Sequence, residues 1–104
     1  EYMHIGIPVL NKKHNMVYNE WGGFWVNESV EAYDYKIEHL KFEEGTRFPE
    51  FLTKQHHVAY KVDNMDPYQK EAQQVIFGPA TPSDTVRLAF ITLDDAIIGL
   101  YEEK

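Results

Sequence analysis

One pattern occurs twice in this chain and narrows what it can fold into. Met3-His4-Ile5-Gly6-Ile7-Pro8-Val9-Leu10-Asn11 superposes without a gap on His56-His57-Val58-Ala59-Tyr60-Lys61-Val62-Asp63-Asn64. His4 matches His57, Ile5 matches Val58, Gly6 matches Ala59, Val9 matches Val62 and Asn11 matches Asn64. Each stretch alternates with the period of a strand, so Ile5, Ile7 and Val9 share one face while His4, Gly6 and Pro8 share the other. In the second copy Val58, Tyr60 and Val62 should meet a core. His57, Ala59 and Lys61 should line a cavity, since a histidine and a lysine beside a small residue make a polar wall. A repeat of about half the chain predicts two similar supersecondary units, because stacked arrays need three or more copies to bury their faces.

The 104 residues suit a single domain, with one module over about 1–50 and a second over about 55–104. With no cysteine, disulfides, thiolate metal sites and a cysteine nucleophile are excluded, so any metal must be held by imidazole and carboxylate. The net charge of −7 argues against nucleic acid or an anionic membrane as the main partner and fits a solvated acidic surface. No apolar run approaches the roughly 20 residues of a membrane helix and no signal peptide is visible, so a soluble, cytoplasmic protein is expected.

In chain order, residues 2–9 read as a strand. Asn11 is placed to cap a short helix from Lys12 to about Asn19. Trp21-Gly22-Gly23-Phe24-Trp25-Val26 is a glycine-broken turn entering an aromatic strand that Asn27-Glu28-Ser29 closes. A further strand runs from about Tyr35 to Phe42, with Lys36, Glu38, Leu40 and Phe42 on one face and Ile37, His39 and Lys41 on the other. The polar stretch from Glu43 to Glu50 is a linker. After the strand opened by His57, Asp63 or Asn64 caps a helix from about Asp66 to Gln74 with Pro67 in its first turn. Val75-Ile76-Phe77 is a short strand stopped by Gly78-Pro79, and Ala80 to Asp84 is loop. Val86 to Leu93 and Ala96 to Tyr101 form a hairpin about Asp94-Asp95. The second module is thus strand, helix and three strands; the first is the same with its middle strand shortened or lost.

A duplicated βαβββ unit opening on His-Ile-Gly-Ile and on His-His-Val-Ala-Tyr-Lys-Val-Asp-Asn resembles the vicinal oxygen chelate superfamily, the glyoxalase, bleomycin-resistance and extradiol-dioxygenase group. The likeness is fullest from His56 to Glu103 and thinner between Lys12 and Asp34. It implies an α+β fold in which two tandem βαβββ modules form a curved mixed sheet around a cup-like cavity. It also implies metal ligands on the first and last strands of each module: His4 and Glu38 in the first, His57 in the second. The fourth ligand, usually a glutamate, falls at Gly99, so Gly99→Glu is expected to complete the set.

Two imidazoles and one carboxylate still resemble the donor set of non-haem iron sites and suit a divalent ion such as Zn, Ni, Mn or Fe. The resemblance therefore implies a metal-dependent lyase, isomerase or dioxygenase whose substrate chelates through two neighbouring oxygens, with no general base identified. The alternative is a bleomycin-resistance-type protein that binds a small molecule in an aromatic cup without metal or chemistry. A homodimer is expected by the same resemblance. Trp21, Phe24, Trp25, Phe42 and Tyr101 are the wall candidates, and Lys61 is placed to orient an anionic group. The plainer readings stand beside these: His4 and His57 as satisfied strand histidines, Glu38 as an exposed carboxylate, Lys61 as a lysine reaching solvent, Tyr101 as a wall aromatic. His39 and His56 face away by parity, and His14 carries no signal.

Overall fold

The alternation in the sequence becomes strand pairing in the computed structural model, which describes residues 1–28, 30 and 34–103. Ser29, expected to help close the aromatic strand, lies outside the described residues. Among the described residues, eight strands of mixed pairing and two short helices run in the order β1 (Tyr2–Pro8), β2 (Met16–Asn19), β3 (Phe24–Asn27), β4 (Ile37–Phe42), α1 (Glu50–Lys54), β5 (His57–Lys61), α2 (Asp66–Glu71), β6 (Gln74–Ser83), β7 (Val86–Leu93) and β8 (Ala96–Glu103). The chain divides into two units, His4–His56 and, separately, Glu1–Met3 with His57 onward. No helix among the described residues is long and apolar enough to cross a membrane.

The unit His4–His56 holds strands in the order β2-β3-β4-β1, with β3 antiparallel to both β2 and β4 and β1 parallel to β4. The helix expected from Lys12 to Asn19 is absent; residues 9–15 have no regular structure and Met16–Asn19 is β2. Its two apolar anchors, Met16 and Val17, are adjacent in sequence, so they cannot share a helical face, whereas Tyr18 finds Trp25 directly across the ladder. Asn15 turns the chain into β2 with φ of 63°. The expected turn after it forms as read: the Gly22 N–H donates to Asn19 Oδ1 at 2.8 Å, and Gly23 adopts φ of 74°. The middle strand of this module is therefore kept, and the helix is what it lacks. A single helical turn, α1, begins at Glu50, the last residue of the stretch read as a linker, and its Leu52 is fully buried.

The other unit orders its strands β5-β8-β7-β6, with β5 parallel to β8 and the remaining pairs antiparallel. Asp94 and Asp95 both take positive φ, 51° and 62°, the mirror-image turn that joins β7 to β8 and sets Leu93 opposite Ala96. The break expected at Gly78-Pro79 does not end the strand. β6 runs ten residues through it with three register shifts, a tolerance suited to a strand paired to β7 on one side. Helix α2 starts as read, with Pro67 in its first turn and the Asp66 N–H donating to Asn64 Oδ1 at 3.1 Å. It ends at Glu71, three residues early, because the Gln73 N–H already donates to Thr92 of β7.

Beneath α2 lies a core of Met65, Ala89, Ile91 and Leu100, with Val62, Ala72 and Ile98 packed against it. Glu102 ties this helix to the sheet. Its buried carboxylate accepts from the Met65 N–H at 2.9 Å and from Arg87 at 3.2 Å, and Arg87 also reaches Asp66 at 3.5 Å. Removing that acceptor strands a buried donor, which costs about 1–3 kcal/mol. Glu102→Ala is therefore expected to lose about that much stability in urea unfolding, and Glu102→Gln, which keeps an acceptor oxygen, distinctly less.

Candidate metal centre

His4 and Glu38 meet because of the parallel pairing of β1 with β4. The register sets Gly6 opposite Glu38, and His4 precedes Gly6 by one full period of the strand, so it is the diagonal neighbour of Glu38 on the same face. His4 Nε2 lies 3.1 Å from Glu38 Oε1, with the two side chains 12% and 18% exposed.

The same face carries an aromatic group. Phe24 stands opposite Phe42 with ring centroids 5.7 Å apart, and Phe48 packs on both at 5.8 and 6.0 Å, with Trp21 against Phe48 at 6.0 Å. Gly22 permits this packing, since a Cβ there would fall 2.2 Å from the Phe24 ring and 2.9 Å from that of Phe48. Of the expected wall residues, Trp21, Phe24 and Phe42 are thus brought together. Phe48 joins them unforeseen, because it sits between Arg47 and Pro49 in a stretch read as linker. Trp25 does not join them. Paired with Lys41, it faces the opposite side of the sheet, where Lys12 Nζ lies 4.0 Å from its ring, Tyr18 lies 5.2 Å away, and its Nε1 donates to Glu43 at 3.0 Å.

His57 occupies the place in its own unit that His4 occupies in the first. It precedes Ala59 by one period, and Ala59 pairs with Gly99 of β8 as Gly6 pairs with Glu38 of β4. The faces of β5 differ from expectation: His57 and Ala59 are the buried positions, at 4% and 5% exposure, and Tyr60 is the exposed one. What buries them is aromatic. Phe90 lies opposite Gly99, its ring edge-on to His57 at 5.0 Å and 81°, with Phe77 6.2 Å beyond. A Cβ on Gly99 would come 2.9 Å from the Phe90 ring, so the space assigned to a fourth ligand is filled. The expectation that Gly99→Glu alone completes a ligand set is therefore corrected.

Lys61 shares the His57 face but pairs with Glu103 at 3.1 Å, a partner that raises its pKa, and it is 40% exposed. Tyr101, half-buried, lies opposite Lys61 on one side and Leu88 on the other. His14 and His56 are exposed. His39, as parity implied, faces away from Glu38. The Asn27 side chain brackets it, accepting from the His39 N–H at 2.8 Å and donating to Ile37 O at 3.0 Å.

No family model, curated protein or solved structure matches this chain.

Burial and then the Lys13 charge lower the His39 pKa from its usual value. Its folded-state pKa being the lower one, the unfolded chain binds the proton more readily, and stability is lost as the pH falls below about 6.5. An NMR titration should find His39 protonating below the usual imidazole range, and His39→Gln should flatten part of the fall in stability between pH 7 and 5.

Proposed function

We propose that this chain is a protein of the vicinal oxygen chelate type, in which His4, Glu38 and His57 hold a divalent metal ion in a cup formed by two modules of βαβββ descent. The observation that carries the reading is the His4–Glu38 pair, 3.1 Å between donor atoms on a largely buried face. Two ligands about 2.1 Å from one ion and at right angles to each other stand about 3.0 Å apart, so the pair is spaced as adjacent ligands are. His57 supports the reading by its place: it has the same offset from the first-to-last strand pairing in the other unit. Two imidazoles and a carboxylate suit zinc, nickel, manganese or ferrous iron, and leave positions open.

Such an ion supplies Lewis acidity to a substrate that chelates through two neighbouring oxygens, for a lyase, isomerase or dioxygenase outcome. The chain's own contribution is to position and to exclude water. Phe24, Phe42 and Phe48 form an apolar cluster further along the Glu38 face of β4, and Phe90 lies edge-on to His57. Leu40, buried beside Glu38 on β4, further lowers the polarity around the carboxylate.

A second reading is favoured by the Phe90 ring over Gly99: a fourth ligand is lost, and the aromatic faces hold a small molecule without metal or chemistry. Calorimetric titration with zinc, manganese, nickel and ferrous iron separates the two. On the metal reading wild type binds at least one of them, His4→Ala, Glu38→Ala and His57→Ala each remove most of the binding, and His56→Ala changes nothing. Affinity falls below about pH 6 as the imidazoles protonate. A wild type that binds none of the four ions leaves the aromatic-cup reading standing alone. The same reading brings a homodimer with it, and a monomeric mass from light scattering at micromolar concentration contradicts that part.

A further inference from the structure

The two units apply one backbone arrangement with opposite side-chain choices. In the first, the position on the opening strand is glycine and the position across from it is Glu38; in the second, alanine faces Gly99. Gly99 is not simply empty. β7 places Phe90 directly across from it, and the ring lies over the glycine so closely that even a methyl group there would sit 2.9 Å from Cε1 and 3.4 Å from Cδ1. The ring cannot swing aside freely, because it is itself buried, edge-on to His57 at 5.0 Å on one flank and 6.2 Å from Phe77 on another.

We infer that Phe90 is a specificity-determining and positioning residue: it occupies the place of a fourth metal ligand, limits the site to three protein donors, and sets the plane of the His57 imidazole. This rests on the metal site proposed above. Gly99 and Phe90 then form one matched unit, glycine being required because the phenyl ring lies where its side chain would go. An edge-to-face contact fixes the rotation of the imidazole about its Cβ–Cγ bond, which fixes the direction of its donor nitrogen. An apolar ring in place of a carboxylate also leaves the ion one unit more positive and one position more open. The site is thereby tuned toward an anionic, oxygen-chelating ligand with an apolar group against Phe90.

The test is a double-mutant cycle in the full chain, read in two ways. In zinc and manganese titrations, Gly99→Glu alone binds no tighter than wild type, because the clash with Phe90 forbids the carboxylate its place. Phe90→Ala with Gly99→Glu binds at least about tenfold tighter than Phe90→Ala alone, the lower end of what even an outer-shell partner commands. A double variant no tighter than Phe90→Ala, or a Gly99→Glu single variant as tight as the double, overturns the inference. The second readout needs no metal: Gly99→Ala lowers the melting temperature when Phe90 is present and leaves it unchanged in the Phe90→Ala background, and additivity of the two changes overturns the fit. If wild type binds no ion while this thermal coupling is found and the double variant gains binding, the metal reading of the native chain fails and the role of Phe90 as the blocking group stands. If neither is found, both fall.

Discussion

Parallel pairing of the first strand of each unit with its last is the constraint on which the rest depends. Parallel neighbours cannot be joined by a tight turn, so everything between them in sequence must leave the strand and return. In the unit His4–His56 that excursion is β2, β3 and their turns; in the other it is α2, β6 and β7. The reward is a pair of side chains far apart in sequence and adjacent in space. His4 and Glu38 reach 3.1 Å only because Ile5, Gly6, Ile7 and Pro8 are held in step with Ile37, Glu38, His39 and Leu40. A slip of one residue turns Glu38 to the face where His39 now lies and ends the contact. The register is guarded on the far side by Asn27, whose amide grips the backbone of β4 on both sides of Glu38.

Placing a carboxylate where it is mostly out of water costs free energy unless something answers its charge. The structure meets that demand in two ways that leave different chemistry behind. Glu102, also buried, is satisfied by the Met65 N–H and by Arg87, so its charge is spent on holding α2 in place. Glu38 has an imidazole for a neighbour. A guanidinium is a permanent cation, whereas an imidazole is neutral or charged according to pH and can exchange its proton for a metal. Glu102 is thereby committed to the fold, whereas the partner of Glu38 is one whose charge changes with pH.

Period-2 alternation made most strands legible, and the β7–β8 hairpin could be read almost to the residue, since two aspartates between two β-rich runs specify both turn and register. That register contained more than was drawn from it. Once Leu93 is set opposite Ala96, counting back along both strands puts Phe90 opposite Gly99, so that pairing was available from sequence. The short segments were not legible in the same way. Met16–Asn19 carries too few apolar residues to declare a period, and its strand character comes from Trp25 and Val26 across the ladder. β6 passes through Gly78-Pro79 because tertiary pairing to β7 outweighs the local signal for a stop. α1 is a single turn just past the stretch read as a linker, too short to show a period and anchored by one buried residue, Leu52.

The repeat was legible and its consequences only half so. Superposing His4 on His57 equates Gly6 with Ala59, and the strand registers set Glu38 and Gly99 opposite those two positions. An alignment, however, matches positions on one strand at a time, whereas the space over a strand pair is shared among three. In the first unit Glu38 stands across from Gly6, and its carboxylate lies 3.1 Å from His4. In the second the room over Gly99 goes to a residue of the adjacent strand, Phe90. A glycine on a buried face is therefore better read with the residue across the ladder from it than as the loss of whatever stood there before: one neighbour's side chain takes up the volume that another gives up. Applied here, that rule makes Gly99 and Phe90 the two halves of one packing pair.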